Sequence, residues 1–100
     1  MNVEKLLEQE IVTYVENLPG WKWDEGKWIN KRYHFQNYLT GVSFVSELAN
    51  YSEQRNHHPF ISIDYKVVTI KLSSWNAGGL TSLDMEMARI FDEIYDQFVE

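Results

Sequence analysis

The sequence contains no cysteine among its 100 residues. Disulfide bonds, thiolate nucleophiles and cysteine-ligated zinc are therefore excluded. Basic residues are also scarce, because nine Lys and Arg stand against 15 Asp and Glu, for a formal net charge of -6. This balance disfavours nucleic acid or an anionic membrane as the main partner, since both bind clustered basic side chains. We interpret the one local basic group, Lys27, Lys31 and Arg32, as a solvated strand face.

Long apolar runs are absent as well. No stretch approaches the roughly 20 apolar residues that cross a membrane, and the segment Met1–Glu4 lacks the basic region and apolar run of a secretory signal. We therefore expect no membrane partner and a cytoplasmic location. The length predicts a single domain over residues 1–100. A chain this short buries a modest fraction of its surface, so association into an oligomer would stabilise it.

Three segments carry apolar residues at helical spacing. The first runs from Val3 to Leu18 and ends at Pro19-Gly20. The second runs from about Asn37 to about Arg55, just before a His-His-Pro tripeptide. The third follows Thr81-Ser82-Leu83-Asp84, which matches a capping box: Thr81 caps the helix and Asp84 reaches back to the free amide of the cap.

The segments between these helices are typical of β-hairpins. Trp21–Trp23 and Lys27–Phe35 flank a turn in which Gly26 is expected to supply a positive φ. The alternating sets around Ile61 and Ile70 are out of phase by one residue, so a tight turn or bulge is predicted near Lys66. The order α-β-β-α-β-β-α predicts an α+β fold, a four-stranded antiparallel sheet with three helices packed on one face.

His57-His58-Pro59 is the most distinctive tripeptide. Histidine is the usual proton-transfer residue near neutral pH. Neighbouring side chains of a regular strand point to opposite faces, so both imidazoles can line one pocket only if this segment is irregular or the pocket wraps around it. By spacing alone, a pair of exposed loop histidines is the commoner interpretation. A metal site is disfavoured because adjacent histidines chelate poorly and no third ligand follows on the same element.

Several other residues have both a functional and a structural interpretation. Glu53 lies four residues before His57, so the two share a face if the helix continues that far, and Glu53 could then orient an imidazole or bind substrate. The alternative is an ordinary solvated carboxylate. Trp75 could stack on a planar ring, or it could pack in the core or at an interface. Asp84 is better explained as a helix cap than as a catalyst, and His34 is expected on the sheet surface.

Taken together, these residues resemble the signature of one family. The sequence reads Glu53-x-x-x-His57-His58-Pro59, then five residues, Tyr65, nine residues, Trp75, eight residues and Asp84. This spacing is similar to the signature of the pterin-4a-carbinolamine dehydratases, and the resemblance extends over nearly the whole chain. It implies an α+β subunit that forms homodimers through sheet edges and homotetramers as pairs of dimers. It also implies a small-molecule pterin substrate and no metal or organic cofactor.

The implied reaction is loss of water from a 4a-hydroxytetrahydropterin to give the quinonoid dihydropterin, which recycles a pterin cofactor. Carried over by position, His57 and His58 are catalytic. The implied substrate-binding residues are Glu53, Asn56, His57, His58, Ser73, Ser74, Trp75 and Asn76. Many members carry a third active-site histidine where this chain has Trp75, and indole exchanges no protons near neutral pH, so we expect retained but altered activity. Two alternatives stay open: a non-enzymatic dimerisation module akin to a transcription cofactor, and a pterin-linked role in molybdopterin metabolism.

Overall fold

A computed structural model describes residues 4–99. The elements in chain order are α1 (Glu8–Glu16), β1 (Lys22–Trp23), β2 (Ile29–His34), α2 (Tyr38–Arg55), β3 (Phe60–Asp64), β4 (Val67–Leu72) and α3 (Ser82–Asp96), with a short 3-10 turn at Trp75–Ala77. The predicted order α-β-β-α-β-β-α is confirmed. None of the helices described here combines the length and the apolar character needed to cross a membrane.

The four strands form one antiparallel sheet in the order β1-β2-β4-β3. In the central pair, Ile29 of β2 lies opposite Leu72 of β4, and Tyr33 lies opposite Val68. Directly paired residues share a face of the sheet, and these four side chains are at most 1% exposed. The helices cover this apolar face with buried side chains, namely Ile11, Phe44, Leu48, Met87, Ala88 and Phe91. The predicted α+β class is therefore confirmed.

The two hairpins turn in different ways. Asp64 pairs with Val67, which leaves a two-residue turn at Tyr65-Lys66 and confirms the predicted turn near Lys66. In the first hairpin the positive φ belongs to Glu25, at 65°, and the prediction for Gly26 is wrong. The Asp24 carboxylate accepts hydrogen bonds from the amide of Gly26 at 2.7 Å and from that of Trp28 at 3.3 Å. These hydrogen bonds of the Asp24 side chain organise the turn, and Glu25, which lies between Asp24 and Gly26, takes the left-handed conformation.

The first helix is shorter than predicted. It begins at Glu8, whereas the expected start at Val3 lies outside the described residues. The amide of Leu6 donates to the carbonyl of Leu80 at 2.8 Å, which holds this part of the chain extended. The amide of Leu7 then donates to the Glu10 carboxylate at 2.8 Å, as at a helix N-terminus. A tertiary contact therefore replaces the first predicted turn.

Lys31 is not part of a solvated basic group, and the prediction for this residue is wrong. Its ammonium lies 2.9 Å from Oδ1 of Asp92 on α3, and the two side chains are 18% and 24% exposed. The same oxygen accepts hydrogen bonds from the Tyr33 hydroxyl at 2.6 Å and from the Trp21 indole at 3.2 Å. Burial, reinforced by Asp92, raises the pKa of Tyr33 far above its ordinary value. The cluster ties the first hairpin to α3.

Candidate active site

A cleft opens where α2 ends, β3 begins and β4 ends. Its volume is about 650 Å³, within the usual range of small-molecule sites. The lining combines both histidines with serine and asparagine side chains and a few apolar groups: Asn56, His57, His58, Pro59, Phe60, Ser73, Ser74, Trp75, Asn76, Ala77, Thr81 and Leu83. With the exception of Glu53, the cleft thus contains every residue that the resemblance implied for substrate binding.

An irregular backbone brings the two imidazoles into this cleft. Helix α2 ends at Arg55, and Asn56 adopts a left-handed conformation with φ 52° and ψ 42°, which asparagine tolerates better than most residues. The amide of His57 closes the helix end by donating to the carbonyl of Ser52 at 3.1 Å. The segment from His57 to Pro59 belongs to neither helix nor strand. Of the two arrangements that the sequence allows, the irregular backbone is therefore the one observed.

His57 is paired with Asp84. The Nε2 atom of His57 lies 2.7 Å from Oδ1 of Asp84, and the side chains are 14% and 0% exposed. The other oxygen, Oδ2, accepts hydrogen bonds from the Thr81 amide at 2.9 Å and from the Ser74 hydroxyl at 2.7 Å. The predicted capping box of Thr81 and Asp84 is confirmed. The interpretation of Asp84 as a helix cap missed its contact with His57. The fixed position of Asp84 in the family signature was the signal that could have indicated this contact.

His58 is paired with Glu53. Its Nε2 atom lies 2.8 Å from Oε1 of Glu53, and the side chains are 58% and 80% exposed. The expected alignment of Glu53 with His57 is wrong, because the left-handed turn at Asn56 ends the helix before His57 is reached. Glu53 does contact an imidazole, but it is that of the next residue. The two histidines thus differ sharply in environment: one has a buried carboxylate partner and the other has a solvated one.

The loop after β4 presents Trp75 to the cleft. Ser74 and Gly79 pair across the base of this loop, and Gly78 takes a positive φ of 76° at its end. Ser73 and Ser74 are buried, whereas Trp75 is 76% exposed. The interpretation of Trp75 as a core residue is therefore wrong. Its indole is a flat, accessible surface on the wall of the cleft.

Some lining residues were not predicted. Phe60 lies on the cleft wall and stacks on Trp28, with ring centroids 5.0 Å apart and an interplanar angle of 21°. The alternation of β3 was the available signal, because it places Phe60 on the opposite face from Ile61. Conversely, Tyr65 of the signature sits in the β3–β4 turn, 70% exposed and outside the cleft lining. His34 is exposed on the sheet, as predicted.

The residues that the structure describes contain no group of three or more His, Asp or Glu arranged to hold a metal ion. The protein has an α+β fold, and its cleft is lined by two histidines, each hydrogen-bonded to its own carboxylate. Such pairs are suited to acid–base chemistry. The chain belongs to the pterin 4 alpha carbinolamine dehydratase family, whose sequence model matches residues 4–94.

Curated relatives match almost end to end. A protein of Picosynechococcus sp. provisionally named a pterin-4-alpha-carbinolamine dehydratase is 36% identical over 90% of this chain and 97% of its own length. An Aquifex aeolicus protein with the same provisional name is 33% identical, with 98% of both chains covered.

Solved structures agree with the fold. The crystal structure of a transcriptional coactivator/pterin dehydratase from Brucella melitensis superposes with a TM-score of 0.87 at 30% identity, covering 92% of this chain and 99% of that one. A pterin dehydratase-like protein described as a RuBisCO assembly factor in the alpha-carboxysome has a TM-score of 0.65 at 24% identity, covering 76% and 89%. This second likeness concerns the fold alone.

Proposed function

We propose that this protein is a pterin-4a-carbinolamine dehydratase, a lyase that removes water from a 4a-hydroxytetrahydropterin to give the quinonoid dihydropterin and so recycles a pterin cofactor. One observation carries the proposal. The imidazoles of His57 and His58 line the same cleft, and each is held by a carboxylate through Nε2.

The reaction needs an acid and a base on one bound ring. The C4a–O bond breaks as the departing hydroxyl takes up a proton, and the neighbouring ring nitrogen loses its proton to form the new C=N bond. Histidine suits both steps because its charge changes near neutral pH. Two imidazoles on one cleft therefore provide a donor and an acceptor for the same ligand.

The rest of the cleft fits a flat, polar heterocycle. Trp75 offers an exposed aromatic face for stacking. Asn56 and Asn76 offer amide donors and acceptors, and Ser73 and Ser74 form the buried floor beside them. Glu53 lies outside the lining and acts on the ligand through His58. These contacts support a substrate-binding role for the seven lining residues that the resemblance implies, and an indirect role for Glu53.

An ultraviolet assay that follows dehydration of freshly generated 4a-hydroxytetrahydropterin tests the proposal. We expect His57→Gln and His58→Gln each to lower kcat by about 10²- to 10⁴-fold, the usual contribution of an acid–base group. His34→Gln is the matched control, because His34 is exposed and lies outside the cleft lining. A wild-type rate equal to the uncatalysed rate would refute the enzyme and favour the non-enzymatic interaction module. Activity with a molybdopterin precursor alone would favour the third possibility.

We further propose that the chain forms homodimers or homotetramers. Strand β3 has one sheet neighbour, β4, among the described strands, and its exposed edge is a template for pairing with a second copy. Phe60 and Ile63 on this strand are 55% and 37% exposed. Light scattering coupled to size exclusion gives the mass directly, and a monomer at micromolar concentration would contradict the proposal. Limited proteolysis would test whether residues 1–100 form one domain.

A further inference from the structure

The Asp84 carboxylate has its two oxygens committed to different partners. Oδ2 accepts from the Thr81 amide and the Ser74 hydroxyl, whereas Oδ1 faces Nε2 of His57. Asp84 is fully buried in the first turn of α3, where the helix dipole favours the anionic carboxylate. An ionised carboxylate is an acceptor only. The hydrogen on the bond between His57 and Asp84 therefore belongs to the imidazole.

We infer that Asp84 is a positioning residue that holds neutral His57 in the tautomer protonated on Nε2, so that Nδ1 is the atom that accepts a proton from the ligand. A neutral imidazole carries one N–H, and a hydrogen bond at one nitrogen determines the state of the other. Nδ1 has no hydrogen-bond partner among residues 4–99. It is also not one of the buried, unpartnered polar atoms of those residues. Solvent or a ligand can therefore reach it.

This assignment separates the roles of the two histidines, and in this respect it rests on the proposed function. Neutral His57 begins as a proton acceptor, so it takes the proton from the ring nitrogen, and the buried Asp84 anion stabilises the imidazolium that forms. The departing hydroxyl then receives its proton from a second group. His58, whose partner Glu53 is solvated, is the group that the cleft provides. The proton returns from His57 to His58 through solvent, which closes the cycle.

Asp84→Asn tests this inference because the hydrogen-bond donors around residue 84 determine the orientation of the Asn side-chain amide. The Thr81 amide can only donate, so it requires an oxygen at the Oδ2 position. The amide nitrogen of Asn then faces Nε2 of His57, and both hydrogens on that nitrogen are donors. Nε2 must become an acceptor, so the imidazole proton moves to Nδ1. One atom changes, the volume is conserved and the helix cap is retained.

Long-range ¹H–¹⁵N spectra of uniformly ¹⁵N-labelled protein, recorded where His57 is neutral, report the tautomer directly. The chain has three histidines, so His34→Gln and His58→Gln assign the signals. We expect the Nε2–H pattern for His57 in the wild type and the Nδ1–H pattern in Asp84→Asn. Glu53→Gln makes the same carboxylate-to-amide change beside His58 and should leave the His57 pattern intact. A wild-type Nδ1–H pattern or an even mixture would overturn the inference, even if Asp84→Asn failed to fold.

The dehydration assay then tests the consequence for catalysis. Asp84→Asn should lower kcat by about 10²- to 10⁴-fold while KM changes less than about threefold, because the ligand contacts remain and the accepting nitrogen is lost. If Asp84→Asn switched the tautomer of His57 but left kcat unchanged, Nδ1 of His57 would not be the proton acceptor in the reaction. An inactive wild type with the expected tautomer would refute the proposed function and leave the structural inference standing. The two failures are therefore distinguishable.

Discussion

Trp75→Ala should weaken ligand binding while leaving the fold nearly intact. Trp75 is 76% exposed, so truncation removes roughly 50 Å² of buried surface from a residue that buries about 150–250 Å² at most. At about 25 cal/mol per Å², the free energy of unfolding falls by about 1 kcal/mol, which corresponds to a loss in Tm of about 4–8 °C. Stacking of an aromatic side chain on a nucleobase contributes about 1–3 kcal/mol. For a pterin ring of similar size, this predicts a Kd increase of about 5- to 150-fold.

Isothermal titration calorimetry with a stable 7,8-dihydropterin measures that change, and thermal melts measure the stability. Trp75→Phe is the matched control, because it keeps a flat ring at the same position and should bind within about tenfold of the wild type. A Kd within twofold of wild type for Trp75→Ala would refute stacking as the role of this residue. A loss in Tm well above the expected range of about 4–8 °C would show instead that the indole of Trp75 stabilises the loop.

Four further changes follow from the same contacts. Trp75→His should raise kcat severalfold if this position is a weakened third acid–base site; abolished turnover would show that the indole has a role of its own. Ser52→Ala should raise the free energy of unfolding by about 1 kcal/mol in urea titrations, because its buried hydroxyl has no hydrogen-bond partner among residues 4–99; a loss would contradict this. Tyr33→Phe should lower it by about 1.5–3 kcal/mol, since the hydroxyl donates to the Asp92 carboxylate. Because the pKa of Tyr33 is raised in the folded state, the hydroxyl contributes its full stabilisation below about pH 10 and loses it as the pH rises further. If the difference in free energy of unfolding between wild type and Tyr33→Phe stayed constant up to about pH 11, the assignment would be refuted. Glu53→Gln should change stability by less than about 0.5 kcal/mol, because the pair that it breaks is largely solvated, and a larger loss in chemical denaturation would count against that view.

Most of the fold could be predicted because its signals are local. The second helix was expected from about Asn37 to about Arg55 and is observed at Tyr38–Arg55, with Asn37 as the N-cap. The phase slip of the second hairpin located its turn at Tyr65-Lys66, because side chains alternate strictly along a strand. The errors occur where a distant group competes with local preference. Pairing of Leu6 with Leu80 shortened α1, and no periodicity in residues 4–18 could have shown it.

The candidate site was predictable as a set of residues but not as a set of contacts. On its own, His57-His58-Pro59 predicts a pair of exposed loop histidines, and only its distances in sequence from Glu53, Tyr65, Trp75 and Asp84 indicate a candidate site. Helical spacing suggested the wrong imidazole for Glu53, and the capping box suggested a purely structural role for Asp84. Tyr65, although part of the signature, lies outside the cleft.

The sequence by itself determined the order of helices and strands, the family and most of the residues that line the cleft, because periodicity, capping and motif spacing are properties of the chain. The tertiary structure decided which carboxylate holds which histidine. That choice depends on the left-handed turn at Asn56, which rotates His57 away from Glu53. It also depends on the approach of the α3 N-terminus to the end of α2, which brings Asp84 to His57 across 27 positions of sequence. Hydrogen bonds form between groups that are close in space, and sequence spacing encodes that closeness only within a single element.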